Sequence, residues 1–383
     1  MGRTGFPAKV RGWRKDCRFK DWPTGRGLIL LLPMRIGLVR RGFSATGGAE
    51  AYLLRLARGL LEAGQEPVLI TSLDWPEGRW PNDAVVRLPG KSAKKFADAV
   101  AAARPDVDIL FSLERVPGCQ VFRAGDGVHA AWLNRRSHFE SAWRRLSHIV
   151  NPKHLSLLHL ECEVYQTAHH VIANSEMVAD EIVRWQEFPR ERIHVVPNGI
   201  GPALPSVPRA EARERLGLSP ETFCVLFVGT GWERKGLKFA VEAVEKLGKD
   251  ALLLVAGRGA TGPFRSSRVR FLGPVSDLPP VFAAADVFTL PTIYDPFSNA
   301  CLEALAAGLP VVTTTANGFS EILTPGVQGS VVSAGDGEAL ADALASWRNH
   351  PAAETRQACQ TLAGQFTIER NVQATLDVLT QVG

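Results

Sequence analysis

Twice along the chain, short apolar runs rich in Val, Ile, Leu and Phe alternate with longer stretches of helical periodicity. From Met34 onward, "MRIGLV", "EPVLITS", "AVVRLP", "VDILFSL", "CQVFRAG", "HHVIANS" and "IHVVPNG" read as strands separated by helices. Helices are expected over 49–64, near 92–103, across 131–167 and near 176–187. The pattern restarts with "FCVLFVGT", "ALLLVAG", "VRFLG", "VFTLP" and "VVTTT", and is all helical from about 337. Strands that are apolar throughout must be covered on both faces, which predicts an α/β fold of two doubly wound parallel sheets. Pro- and Gly-rich "PNGIGPALPSVPRAEARERLG" between the halves reads as an interdomain linker.

Each half opens with a strand, a glycine turn and a helix: Gly47-Gly48 in the first, Gly229 and Gly231 in the second. Such turns let backbone N–H groups approach an anion at a helix N-terminus. "GTGWER" places Arg234 where a dinucleotide fingerprint needs its third glycine, and "GKS" at 90–92 lacks the first glycine of a P-loop. Nicotinamide and ATP sites are thereby disfavoured. "GTGWERKG" instead sets Arg234 and Lys235 behind a glycine turn at the C-terminal edge of a parallel strand, where open sheets bind ligands. Cations at a helix start oppose its macrodipole, so a bound diphosphate is expected there.

"DPFSNACLEALAAGLPVV", residues 295–312, has Leu302, Leu305 and Ala306 at helical spacing, with Asn299 or Ser298 as cap and Gly308-Leu309-Pro310 as stop. Glu303 then lies in the first two turns and Asp295 in the preceding loop. An isolated pair of acids would read as a solvated Glu and a turn Asp. Here the pair follows the cationic turn in the same half.

Together, "TGGAE", "GTGWERKG", "VAGRG", "FLGPVSDL" and "DPFSNACLE", in this order, resemble the GT-B family of retaining glycosyltransferases (glycosyltransferase family 4, glycosyl transferase group 1) that includes glycogen and sucrose synthases. The resemblance spans about residues 34–370 and implies Rossmann-like domains facing across a cleft. An acceptor-binding domain would occupy 34–200 and a nucleotide-sugar domain 201–365, with a helix over 366–383 packing back on the first. It implies a UDP-sugar as donor substrate and, by retention, an α-linked product; no cofactor is expected, and no metal, because the sequence has no convincing acidic cluster for one. Arg234 and Lys235 would hold the diphosphate, and Glu303 the ribose hydroxyls. Asp295, standing where the family usually has Glu, would meet sugar and phosphate with the amides of Phe297, Ser298 and Asn299. Gly47, Gly48, Gly229, Gly257 and Val275 would complete the donor site. The run "SLERVPGCQVFRAGDGVH" is similar to bacterial glucosyltransferases acting on heptose of the lipopolysaccharide core. It points to Asp126 as the acceptor-facing catalytic residue and His129 as an acceptor contact; a structural loop histidine is the other reading of His129.

The net charge of +5 does not argue for nucleic acid as a partner. Residues 1–33 carry +6, leaving 36 basic against 37 acidic residues. This aperiodic leader is expected to be disordered and dispensable, with Met34 as the natural start. The run behind it is too short and interrupted to span a bilayer, and no A-x-A-like cleavage site follows. Six scattered cysteines suit a cytoplasmic protein. Trp132, Phe139, Trp143 and Leu146 interleave with Arg135, Arg136, Arg144 and Arg145. That stretch reads as a face for anionic lipid of the inner membrane or for acceptor phosphates, or as an ordinary helix packing its aromatic side inward. The Asp-x-Asp in "PDVDIL" reads as a turn before a strand rather than a metal site.

The leading expectation is thus a peripheral-membrane glycosyltransferase moving glucose from UDP-glucose to a glycolipid or oligosaccharide acceptor of the lipopolysaccharide core. The alternatives are a transferase of the same fold with a soluble or polyprenyl-linked acceptor, and a catalytically silent GT-B binding scaffold.

Overall fold

In the computed structural model the described residues are 32–44, 48–141, 143–145, 151–201, 207–350 and 352–382. Both expected sheets are present and parallel throughout. The first runs in the order β3-β2-β1-β4-β5-β6-β7. Its strands are β1 (Arg35–Val39), β2 (Glu66–Ser72), β3 (Val85–Leu88), β4 (Ile109–Ser112), β5 (Val121–Arg123), β6 (His170–Ala173) and β7 (Ile193–Val195). The second, in the order β10-β9-β8-β11-β12-β13, holds β8 (Phe223–Val228), β9 (Ala251–Ala256), β10 (Val269–Gly273), β11 (Val287–Leu290), β12 (Val311–Thr314) and β13 (Gly329–Val332). Strand order reverses between β1 and β4 and between β8 and β11, and a crevice opens at such a reversal. Val225, Leu226, Phe227, Val287 and Phe288 are fully buried, as two-sided coverage requires.

Three local expectations change. β13 carries Gly329 and Ser330 in four residues, too little apolar pattern to be read as a strand. The helical region 131–167 is interrupted: its described residues include the helices His129–Ser137 and Pro152–Thr167, the second started by the Asn151 side chain accepting from Lys153 N at 3.0 Å. Arg234 and Lys235 fall in the last turn of a one-turn helix, Trp232–Lys235, and Gly236 separates them from the helix Leu237–Lys246. A macrodipole opposing the two cations is therefore not what marks them.

The chain crosses between the sheets twice. After β7 it enters the second half, and Ile200 exchanges backbone hydrogen bonds with Phe366 (3.0 Å) and Ile368 (2.9 Å) on the way back. The helix Ile368–Leu379 buries Ile368, Val372, Leu376 and Leu379 in a core shared with Tyr52, Leu53, Leu56 and Leu60 of the helix Gly48–Glu62. At about 1.5–3 kcal/mol for each large apolar side chain buried, this stripe fastens the C-terminus to the first sheet.

Side chains join the two halves directly. Tyr294 Oη accepts from Val128 N at 2.9 Å and donates to Glu181 Oε2 at 2.8 Å. Ser175 Oγ donates to the Pro296 carbonyl at 2.8 Å. Glu321 caps the helix Glu176–Gln186 from the opposite half, accepting from Glu176 N (2.9 Å) and Met177 N (2.6 Å). Burial pushes the Glu321 carboxyl up to about 7, with Glu176 and Asp180 adding to the rise and the two amides opposing it. A carboxyl raised in the folded state binds its proton more tightly there than when unfolded. Its contribution is fully present below about pH 4.5 and is lost as pH rises through about 7. Wild type should accordingly lose about 3 kcal/mol relative to Glu321→Gln across that window, read as the difference between their Tm values. Parallel Tm curves for the two proteins would contradict this.

Candidate active site

The C-terminal ends of the six-stranded sheet carry the predicted donor residues. Gly229 follows β8, Gly257 follows β9, Val275 follows β10 and Asp295 follows β11. Gly257 has φ +137°, and a Cβ there would lie 2.0 Å from the Gly229 carbonyl oxygen, so the two turns approach as only glycine permits. Val275 is half-buried against the apolar core. Asp295 is the acid at the switch point, its side chain 6 % exposed. Its carboxylate pairs with Lys235 Nζ and lies 4.0 Å from Arg234 Nη1. Arg234 Nη1 also donates to the Tyr294 carbonyl at 2.9 Å, and Thr292 Oγ1 and Ile293 N both bond the Arg234 carbonyl. Two cations and one buried anion are therefore fixed in one place, an arrangement that leaves excess positive charge for a ligand.

Ser298 is the cap of the helix Asn299–Ala306, its hydroxyl accepting from Cys301 N at 3.4 Å. The Phe297 ring is buried against Phe319 and Phe366, so only its backbone is placed to meet a ligand. Asn299 reaches the other half, Nδ2 donating to the Gly48 carbonyl at 3.4 Å. Gly47 lies outside the described residues, as do residues 1–31 and Leu146. One turn into the helix, Glu303 is half-buried and its carboxylate has no hydrogen-bond partner among the described residues. Burial raises its pKa, opposed by Arg55 from the helix Gly48–Glu62. A desolvated acid without a partner is costly unless a donor group completes it. Ribose hydroxyls are donors of that kind.

Across the cleft, the ends of β1, β4 and β5 bring together a cluster that the sequence reading found only in part. Asp126 lies in the loop after β5, its side chain 62 % exposed, 3.9 Å from Arg40 Nη1. Arg40 pairs with Glu50 (3.0 Å) and Glu114 (3.3 Å). Burial, with Asp126 adding to it, raises the Glu114 pKa against the pull of Arg40. Arg115 donates to Glu161 from Nε (3.0 Å) and Nη2 (2.9 Å) and to the Gly127 carbonyl at 3.1 Å, fixing the loop that carries Asp126. His129 is less free than Asp126. Its ring shares a 3.0 Å hydrogen bond with His154, and its amide donates to Glu161 at 2.7 Å. Burial, then Arg115 and His154, push its pKa down to about 4, so the imidazole is neutral at assay pH.

The basic residues of the aromatic stretch pair within the molecule, Arg144 at its exposed surface. Arg135 donates to Glu181 at 2.7 Å and lies over the Tyr294 ring, and Arg136 pairs with Glu140 at 2.6 Å. Arg144 pairs with Glu233 at 3.2 Å, while Arg145 donates to the Glu140 carbonyl at 3.1 Å. Phe139 packs on Phe239 of the second half. Trp143 is the outlier at 82 % exposure. Arg135→Glu would oppose the buried Glu181 with a like charge and should cost about 3 kcal/mol or more, a marked fall in Tm. Equal Tm values for Arg135→Glu and wild type would refute the ion pair.

Burial pushes the thiols of Cys119, Cys224, Cys301 and Cys359 up to about 12, consistent with core filling. Among the described residues no three His, Cys, Asp or Glu gather as a metal-ligand group. No described helix is long and apolar enough to cross a membrane.

Comparison with known proteins bears on the fold and the family. Residues 222–349 match the Glycosyl transferases group 1 family, and residues 46–204 match Glycosyltransferase Family 4. The lipopolysaccharide core biosynthesis glycosyltransferase LpsE of Rhizobium meliloti is 27 % identical over 362 residues, covering 88 % of this chain and 97 % of that protein. The phosphatidyl-myo-inositol mannosyltransferase of Mycobacterium leprae is 30 % identical over 344 residues, 81 % of this chain and 86 % of the relative. In fold, the chain is similar to WaaG, a glycosyltransferase involved in lipopolysaccharide biosynthesis (TM-score 0.76, 20 % identity, covering 90 % and 99 % of the two chains). It is also similar to Anabaena HepE in complex with UDP-glucose (TM-score 0.72, 19 % identity, covering 91 % and 100 %). With the two parallel sheets and their facing edges, these matches show that the chain belongs to the group 1 and family 4 glycosyltransferases of GT-B fold.

Proposed function

We propose that this glycosyltransferase moves glucose from UDP-glucose to a heptose of the lipopolysaccharide core, or to a similar membrane-linked glycan, with retention and without a metal ion. The observation that carries the donor half is the Glu303 carboxylate, half-buried without a hydrogen-bond partner among the described residues, on the helix that follows the loop of Asp295, which itself pairs with Lys235 and lies near Arg234. The names of LpsE and WaaG support the acceptor class, and the HepE complex supports the donor. In this reading Glu303 accepts from both ribose hydroxyls. Arg234, Lys235 and the amides of Gly48 and Phe297–Asn299 take up the charge that grows on the diphosphate as the bond to the sugar C1 breaks. The acceptor hydroxyl, oriented by Asp126, bonds to C1 on the face the diphosphate leaves, and its proton passes to the departing phosphate oxygen. Glu303, Gly229, Gly257 and Val275 would bind donor, with His129 shaping the acceptor side as a neutral group. The protein would work in the cytoplasm, peripheral on the inner membrane. A soluble acceptor is the second reading, favoured by the internal pairing of Arg135, Arg136, Arg144 and Arg145.

The test incubates the full chain with UDP-glucose and a heptose-terminated core glycolipid in EDTA, and reads the product linkage by NMR. An α-linked product is expected. A β-linked product, or activity abolished by EDTA and restored by Mg²⁺ or Mn²⁺, would overturn the mechanism.

A further inference from the structure

Arg123, the last residue of β5, is 4 % exposed, yet no carboxylate of a described residue lies within 4 Å of it. This is unusual within the molecule. Arg40 pairs with Glu50 and Glu114, Arg115 with Glu161, and Arg213, equally buried, with Asp286. The partners of Arg123 are neutral. Nε donates to Tyr52 Oη at 3.1 Å, Nη2 donates to Asn198 Oδ1 at 2.5 Å, and the guanidinium lies 4.1 Å from the Tyr52 ring centre. Nη1 has no hydrogen bond to a described residue. It lies under the Gly125–Asp126 turn, where a Cβ on Gly125 would come within 2.5 Å of it, so glycine at 125 is what admits the guanidinium. Held by neutral groups and the Tyr52 ring, this buried cation has no countercharge among the described residues, and an anion reaching Nη1 would supply one.

Its surroundings place that anion in the cleft. Asn198, which receives Nη2, donates in turn to Asn299 Oδ1 (2.7 Å) and to the Phe297 carbonyl (3.2 Å) at the head of the donor helix. On its other side is the loop of Asp126, the residue assigned to the acceptor. We infer that Arg123 binds a phosphate oxygen in the cleft, from the first half of the molecule. It does so as a third cation besides Arg234 and Lys235. The phosphate belongs to the donor diphosphate or to a phosphorylated acceptor; the first would tie diphosphate binding to the closed arrangement of the two halves. This inference rests on the cleft being the transfer site proposed above.

The test titrates UDP, uridine and inorganic pyrophosphate calorimetrically into wild type, Arg123→Met and Arg123→Lys. For a donor contact, Arg123→Met weakens UDP and pyrophosphate about tenfold or more, Arg123→Lys retains most of that affinity, and uridine binding is unchanged in both. For an acceptor contact, UDP affinity stays constant, while KM rises in Arg123→Met for a phosphorylated core acceptor and not for its dephosphorylated form. Uridine, UDP and both acceptors weakened equally in both variants, with a lowered Tm, would show a structural arginine and overturn the inference, as would no change in any arm. If Arg123→Met does not fold, Arg123→Lys decides. It keeps the charge while losing the planar contacts to Tyr52 and Asn198, so retained phosphate-dependent affinity supports anion binding and its loss overturns it. Wild type that binds pyrophosphate but not UDP would count against the donor reading alone, and the Arg123 comparison would then be read with pyrophosphate.

Discussion

Lys235→Ala is expected to lower kcat by about 100-fold or more, with a smaller change in KM, because in the proposed mechanism the ammonium acts chiefly on charge that develops as the diphosphate leaves. In the structure this ammonium is already paired with Asp295, whose carboxylate is buried beside it. Removing it has two consequences. The departing diphosphate would lose one of its proposed stabilising cations, and among the described residues Asp295 would keep only Arg234, at 4.0 Å, as an ion-pair partner. A carboxylate left so exposed to desolvation should repel an incoming phosphate, which adds to the loss. Steady-state kinetics with UDP-glucose, alongside Tm to confirm folding, read the effect. A folded Lys235→Ala enzyme with wild-type kcat would remove Lys235 from the mechanism.

Glu303→Ala should act mainly on donor binding. Two charge-assisted hydrogen bonds to ribose are lost together, about 3 kcal/mol, which is roughly a hundredfold in kcat/KM. The loss should appear as a raised KM for UDP-glucose, with a smaller loss of affinity for glucose 1-phosphate, which has no ribose. Stability should not suffer, since the carboxylate is half-buried, has no hydrogen-bond partner among the described residues, and its burial already raises its pKa. Tm equal to or above that of wild type is expected. Unchanged kinetics in the folded variant would return Glu303 to a solvated helix face.

The residues of the proposed donor half could be singled out because they are local in sequence. Arg234 and Lys235 are neighbours behind one glycine turn, and Asp295 through Glu303 form one loop and helix start. What could not be read was that Asp295 neutralises Lys235, since the two are 60 residues apart and meet only through the pairing of β8 with β11. The acceptor half was less legible for the same reason. Arg40, Glu114 and Asp126 come from the ends of three different strands, and only Asp126, between two glycines, carried a local signal. Arg123 looks like any strand residue until its missing carboxylate is seen. Arg135, Arg136, Arg144 and Arg145 show what composition leaves out: their partners Glu181, Glu140 and Glu233 lie in other elements or in the turn between, and one-dimensional charge counting does not pair them. The short helix Trp232–Lys235 was missed because four residues give no periodicity, and it reversed the dipole reasoning about the cations it contains.

A crystal structure of the full chain with UDP-glucose, grown in EDTA, tests the central claim most directly. The expected result is one nucleotide sugar in the cleft, with its ribose hydroxyls within hydrogen-bond distance of Glu303, its diphosphate on Arg234 and Lys235, and its glucose facing Asp126. A nucleotide bound elsewhere, or bound in the cleft with its ribose away from Glu303 and its diphosphate away from Arg234 and Lys235, would contradict it.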